Sequence, residues 1–201
     1  VGGWPPELAI AFAVLCTTVL AWVTGKLAIR RQGIYFAMIT LALAQMVYFV
    51  CLQAPFTGGE DGLQGVPRGV LFGFIPLSSD ITLYFVVLAV FVAVFALIVR
   101  IVHSPFGQVL KAIRENEPRA ISLGYDVDRY KLLAFVLSTA LPGLAGSLKT
   151  LVLGFATLSD AHWSLSGEVI LMTLLGGMGT FAGPVIGAFT SIGLQDHLSD
   201  R

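Results

Sequence analysis

Apolar residues run almost unbroken from Leu8 to Ile29, from Ile34 to Leu52, from Ile81 to Val102 and from Leu132 to Gly154. Each run is close to the ~20 residues an α-helix needs to cross a bilayer, so each predicts a spanning helix. The fourth holds Pro142-Gly143 and is expected to break there. A fifth stretch, Glu168 to Gln195, is interrupted by Gly176-Gly-Met-Gly-Thr-Phe-Ala-Gly-Pro184. It reads either as one long broken span, or as a half-helix (Val169–Leu175) that turns back, followed by a span from Pro184. Irregular backbone at membrane depth needs protein or water around it, so both readings put the glycine turn inside a bundle or cavity. The expected fold is all-α: a polytopic transmembrane helix bundle of about five spans, forming a single transmembrane domain over residues 1–201.

The polar intervals carry most of the remaining information. Arg30-Arg31-Gln32-Gly33 is a short basic turn, and 53–80 is a Gly/Pro-rich connection containing Thr57-Gly-Gly-Glu-Asp-Gly-Leu63. The segment from His103 to about Tyr130 is different in kind. Phe106, Val109, Leu110 and Ile113 recur at i, i+3, i+4 and i+7 and share one helical face. Lys111, Arg114 and Glu115 lie off that face. Pro118 predicts a break and Gly124 a stop, giving a short amphipathic helix, a kink and a second short helix. A chain that only had to sit in lipid has no use for such a loop, whereas one that takes force from a soluble partner does.

Charge placement orients the spans. Lys26, Arg30 and Arg31 lie between spans one and two; Lys111, Arg114, Arg119, Arg129 and Lys131 lie between spans three and four. The alternate connections hold Arg68 with Glu60, Asp61, Asp80 and Asp160. By parity the two basic loops, 30–33 and 103–130, share a side, and the positive-inside rule makes that side cytoplasmic. Composition agrees with a membrane: 56% of the 201 residues are hydrophobic and only 12% charged, where soluble domains carry about 25% charged residues. Net charge is zero, which gives no reason to expect a nucleic-acid partner. Cys16 and Cys51 sit in apolar runs and read as small buried hydrophobes. The chain opens at Val1-Gly-Gly-Trp-Pro-Pro and stops soon after an apolar run, so we expect a piece of a longer protein.

Candidate chemistry is sparse. There is no His-Glu-x-x-His, no Gly-x-Ser-x-Gly and no carboxylate pair within a span. Gly177-x-Gly179-x-x-Ala182 fits a dinucleotide fingerprint formally but lacks its βαβ setting. Thr24-Gly25-Lys26 lacks the earlier glycine of a phosphate loop, so no ATP site and no bound cofactor are expected on this chain. Lys149 near the outer end of span four is expected to snorkel to the interface, with a substrate carboxylate as the alternative ligand. Glu168 is expected to cap a helix N-terminus. Thr139, Gly143 and Ser147, and again Gly179, Gly183, Gly187 and Ser191, form small-residue stripes suited to close helix packing. Broken helices offer unpaired backbone groups and aimed dipoles, which makes Gly176, Gly177, Gly179 and Gly183, with Pro142, Gly143 and the Thr57-Gly58-Gly59 turn, candidates for a translocation path or hinge.

Several motifs, in this order, resemble the permease subunits of branched-chain amino acid ABC importers, the LivM-type family. They are Gly33-Ile-Tyr-Phe-Ala-Met-Ile-Thr-Leu-Ala, Thr57-Gly-Gly-Glu-Asp-Gly-Leu, Phe106-Gly-x-x-Leu-x-Ala-Ile-Arg-Glu-Asn-Glu with Gly124 and Tyr130-Lys-Leu-Leu-Ala-Phe, and Leu174-Leu-Gly-Gly-Met-Gly-Thr-Phe-Ala-Gly-Pro-Val-Ile-Gly-Ala. The resemblance implies a bacterial inner-membrane location, a second homologous permease subunit, two cytoplasmic ATP-binding subunits that hold the ATP, and a periplasmic substrate-binding protein. It places Arg114, Glu115, Asn116, Glu117, Ala120 and Gly124 in the loop seated in an ATPase cleft. The family's first spans and its final span are not in this sequence. Urea-importer permeases share much of the pattern, so a urea or short-amide substrate is the near alternative. An ion-coupled secondary carrier is the rival from another class, but the acidic or histidine relay residues it needs within spans are lacking. A non-transporting scaffold is a third reading.

Overall fold

Lipid-length apolar runs leave the backbone one way to satisfy itself, which is a helix. The computed structural model describes residues 5–31, 33–71, 75–177, 179–180 and 182–199. Long apolar helices form at α1 (Pro6–Ala28), α2 (Ile34–Gln53), α3 (Asp80–His103) and α6 (Val127–Leu153). These four are long and apolar enough to cross a membrane. Between α3 and α6 lie the short helices α4 (Pro105–Glu115) and α5 (Glu117–Ser122); after α6 come α7 (Trp163–Gly176) and α8 (Gly183–Ser199). Threonine hydroxyls within the long helices return to the carbonyl of the preceding turn, as Thr17 does to Ala13 and Thr40 to Phe36, both at 3.0 Å. These two hydroxyl donors are thereby satisfied within their own helices.

The chain's contacts gather into two compact units. The first holds Val1–Leu43 and Asp61–Ala156, the second Ala44–Glu60 and Thr157–Arg201. In the first, α1 and α6 pack antiparallel along their length. Thr17, Ala21, Gly25 and Ala28 supply the face of α1. Ala21 and Ala28 are essentially sealed from solvent, at 1% and 0% exposure. A Cβ on Gly25 would stand 2.8 Å from Leu132 Cδ1, and one on Gly143 would overlap Thr17. Backbones approach this closely only where side chains are small.

Here the structure departs from the sequence expectation. Helix α6 runs continuously through Pro142 and does not break there. Proline removes one backbone hydrogen bond, a loss that membrane helices tolerate when neighbours hold the segment. Gly143, seated against Thr17, provides that hold, so Pro142-Gly143 is a packing point and not an interruption. At the far end of this unit the connections close with two short antiparallel pairs. β1 (Leu63–Gln64) meets β4 (Phe155–Ala156), and β2 (Val70–Leu71) meets β3 (Ile75–Pro76). Arg68 bridges them to the helices through Asp80 and the Val152 carbonyl.

In the second unit α7 and α8 form an antiparallel hairpin. The fifth apolar stretch is therefore a helix, ending at Gly176, that turns back on its successor, which starts at Gly183. Cβ atoms on Gly176, Gly183 or Gly187 would each collide with backbone of the facing helix or of the turn. The small-residue stripe is thus Gly176, Gly183 and Gly187. Gly179, which sequence spacing had included, has open space around it. The turn also departs from expectation at its start: α7 begins at Trp163, six residues before Val169, with His162 Nδ1 accepting the Ser164 N–H at 3.3 Å. Glu168 is therefore exposed in the second turn and caps nothing.

Candidate functional site

The elbow between α3 and α6 is set by a sequence of caps. Ser104 ends α3 and begins α4: its N–H reaches the Ile101 carbonyl at 3.1 Å and its Oγ accepts the Gly107 N–H at 3.4 Å. Pro105 follows at the first helical position, where its missing N–H costs nothing. Gly107 is buried against the end of α3, and a Cβ there would collide with the Val102 and Ile101 carbonyls. Glycine at this point lets α4 fold back tightly from the span.

The break between α4 and α5 falls at Asn116 and not at Pro118. Asn116 takes an extended conformation (φ −156°, ψ 94°), and its Oδ1 accepts the Arg119 N–H at 3.1 Å. Pro118 sits inside the first turn of α5, which proline tolerates. The end of α5 is a paired closure: the Gly124 N–H reaches the Ile121 carbonyl at 2.9 Å and the Tyr125 N–H reaches that of Ala120 at 3.2 Å. Gly124 has φ +86°, a conformation glycine reaches without a Cβ penalty. Asp126 then caps α6, accepting the Arg129 N–H at 3.3 Å.

The apolar face read from the sequence is the face that anchors the elbow. Ile113, Ala120 and Val127 are buried together, one from each of α4, α5 and α6, with Val109, Leu110 and Tyr130 packed around them. Phe106 stacks on Tyr130 with centroids 5.6 Å apart and planes 21° from parallel. Tyr125 meets the same ring edge-on. Beside this core Lys131 Nζ lies 2.7 Å from Glu117 Oε1, both side chains a little over a quarter exposed. The outer surface carries Lys111, Arg114, Glu115, Asn116 and Arg119, all exposed, with the apolar side chains of Ile121 and Leu123.

The elbow residues picked from sequence therefore divide by role. Arg114, Glu115 and Asn116 face outward and can meet a partner. Glu117 is turned inward to Lys131. Ala120, at 2% exposure, is a core residue that no partner can touch. Gly124 shapes the backbone. Sequence reading missed Tyr130 and Lys131 as the groups that tie the elbow to a span. The signal was present: both sit one turn into α6, an aromatic and a cation following a capping aspartate. Because the pair is neither fully exposed nor buried, Glu117→Lys should cost about 1–2 kcal/mol. The exchanged pair Glu117→Lys/Lys131→Glu should recover most of it, read as the thermal midpoint of the purified protein.

The proposed path residues fall in both units, Pro142 and Gly143 in the first and the others in the second. Thr57 donates its hydroxyl to the Cys51 and Ala54 carbonyls, and Gly58 and Gly59 adopt φ +78° and +60°. That turn closes the end of α2. Gly143 belongs to the α1–α6 contact, and Gly176 and Gly183 to the α7–α8 hairpin. Gly177, at φ +98°, makes the turn, and its carbonyl accepts the Thr180 N–H at 3.5 Å. Met178 and Phe181 of the same motif lie outside the described residues. Lys149 lines an apolar groove of about 490 Å³ between α3 and α6, with Val87, Phe91, Leu144 and Val152.

The basic connections meet at one end of the first unit. Gly25, Lys26 and Arg30 face Asp128, Arg129 and Leu132 across a small cleft, so 30–33 and the elbow share a side, as charge parity required. A family model described as the permease component of the branched-chain amino acid transport system matches residues 1–199. The chain is 28% identical, over 95% of its length, to the high-affinity branched-chain amino acid transport system permease protein LivM of Salmonella typhimurium and to that of Escherichia coli. It is 26% identical, over 89% of its length, to the probable LivM of Methanocaldococcus jannaschii. It covers 50% of the first two and 53% of the third, so it spans about half the length of the curated relatives it matches. No solved structure matches. An anchored, outward-charged elbow on lipid-length helices, in a chain that the family model covers nearly end to end, makes this a member of the branched-chain amino acid transport permease family.

Proposed function

We propose that this chain is part of the membrane-spanning permease subunit of an ATP-driven importer for branched-chain amino acids, located in the bacterial inner membrane with 30–33 and 103–130 on the cytoplasmic side. The observation that carries this reading is the elbow: α4 and α5 are fixed to α6 by a shared core and an ion pair, while their charged face is left outward. An element built this way passes a push on its outer face to a spanning helix. Two ATP-hydrolysing subunits supply the push, and no cofactor is needed on this chain itself. A second, related permease subunit completes the path, and a periplasmic binding protein delivers the amino acid and sets specificity. The apolar interior suits aliphatic side chains.

Glu115 is the test residue, because it is exposed beside Arg114 at the tip of α4 and takes no part in the elbow core. Glu115→Arg in the full-length permease should weaken recovery of the ATP-binding subunits at least about tenfold, since reversing a charge in a matched interface opposes association. Substrate-stimulated ATP hydrolysis in vesicles should fall with it. Unchanged association and stimulated hydrolysis would remove this surface from coupling, and isolation of the permease without any ATP-binding subunit would favour a carrier or scaffold instead.

A further inference from the structure

A second cavity, of about 600 Å³, opens where the 30–33 turn, α2, the elbow and α6 converge. Its rim is polar: Arg31, Glu117 and Lys131. Its wall is apolar: Ile29, Phe36, Leu110, Ala134 and Phe135. The polar groups sit at the basic end of α6. Ser138, seven residues beyond Lys131 and also in the lining, lies about 10 Å deeper along the helix at 1.5 Å per residue. The cavity therefore has the polarity gradient of an amphiphile, charged at the membrane surface and apolar below.

Charge decides what kind of amphiphile. Lys131 is paired with Glu117 at 2.7 Å, and among the described residues the Arg31 guanidinium has no ion-pair partner. Gly33 also lines the cavity and immediately precedes α2, so this 20-residue helix starts at its edge. A helix N-terminus favours a phosphate. The adjoining cleft adds Lys26, Arg30 and Arg129. Facing acids are Asp128 in that cleft and Asp126, which is itself bound to Arg129 at 2.7 Å. The field at the opening is positive.

We propose that this cavity binds one anionic phospholipid from the leaflet that meets the basic end, its phosphate against Arg31 and the start of α2 and an acyl chain along Phe36, Ala134 and Phe135. The lipid then wedges between the elbow and the first helices of the bundle. The site does not depend on the nature of the transported substrate, so it stands or falls apart from the importer reading.

The test is lipid retention by the full-length permease complex, purified from membranes containing both phosphatidylglycerol and phosphatidylethanolamine and analysed by native mass spectrometry. Phosphatidylglycerol should be retained preferentially. Arg31→Gln should lower that preference about fivefold, the weight of one basic residue near an anionic surface. Arg100→Gln removes the same charge from α3 away from the cavity and should change nothing. Ala134→Phe fills the apolar wall without touching charge and should also expel the lipid. Equal retention of both lipids by the unaltered complex, or equal losses in Arg31→Gln and Arg100→Gln, would overturn the site.

Discussion

In the full-length permease, on the importer reading, Gly107→Ala should lower transport at least about tenfold while leaving the spanning helices folded. The added Cβ has no side chain to displace: it meets the backbone carbonyls of Val102 and Ile101, which close the end of α3. Only a shift of α4 as a body can relieve the overlap. Such a shift pulls Phe106 from Tyr130 and lifts Ile113 out of the core it shares with Ala120 and Val127. Overpacking at a buried site commonly costs about 1–3 kcal/mol, and here the strain falls on the elbow, which is fixed to α6. Transport assayed in vesicles, beside helix content by circular dichroism, separates loss of coupling from loss of fold. Ala112→Ser, on the exposed side of the same helix, should leave both intact. If Gly107→Ala transports like Ala112→Ser, the tight α3–α4 junction has no mechanical role.

Gly187→Ala should splay the α7–α8 hairpin and lower the thermal midpoint of the purified protein by an amount equivalent to about 3 kcal/mol, at the upper end of overpacking costs. A Cβ at Gly187 would overlap the Met172 carbonyl, and Gly176 and Gly183 are equally closed to any side chain. The contact is helix backbone against helix backbone, so relaxation by rotamer change is not available. Gly193 lies six residues further along the same helix with nothing within 4 Å of its missing Cβ. Gly193→Ala should be neutral or stabilising by up to ~1 kcal/mol, because alanine is the better helix former. Light-scattering thermal scans of the two variants give opposite signs on this account. A Gly187→Ala protein that melts like Gly193→Ala would mean that the helices do not pack through these glycines.

The departures from sequence expectation share a cause. Pro142 was expected to break its span because an isolated helix loses a hydrogen bond there, yet with α1 packed at Gly143 the helix continues. The α4–α5 break moved from Pro118 to Asn116 because a capping side chain can end one helix and start the next, whereas proline fits within the first turn. Gly179 fitted a four-residue stripe by spacing, but the chain turns before reaching it. In each case one residue's tendency was read alone, and the residues around it, along the chain or in space, decided the outcome.

By itself the sequence determined the lipid-length helices, the shared side of the two basic loops, and the elbow with its apolar and charged faces. Those features follow from hydropathy, parity and capping chemistry, which act within a few residues along the chain. Only the tertiary structure decided that Thr17, Ala21, Gly25 and Ala28 meet α6, that Lys131 holds Glu117, that α8 doubles back on α7, and that Arg31 overlooks a cavity. These pairings join residues far apart in sequence, and close packing selects them by fit between surfaces that no local pattern describes.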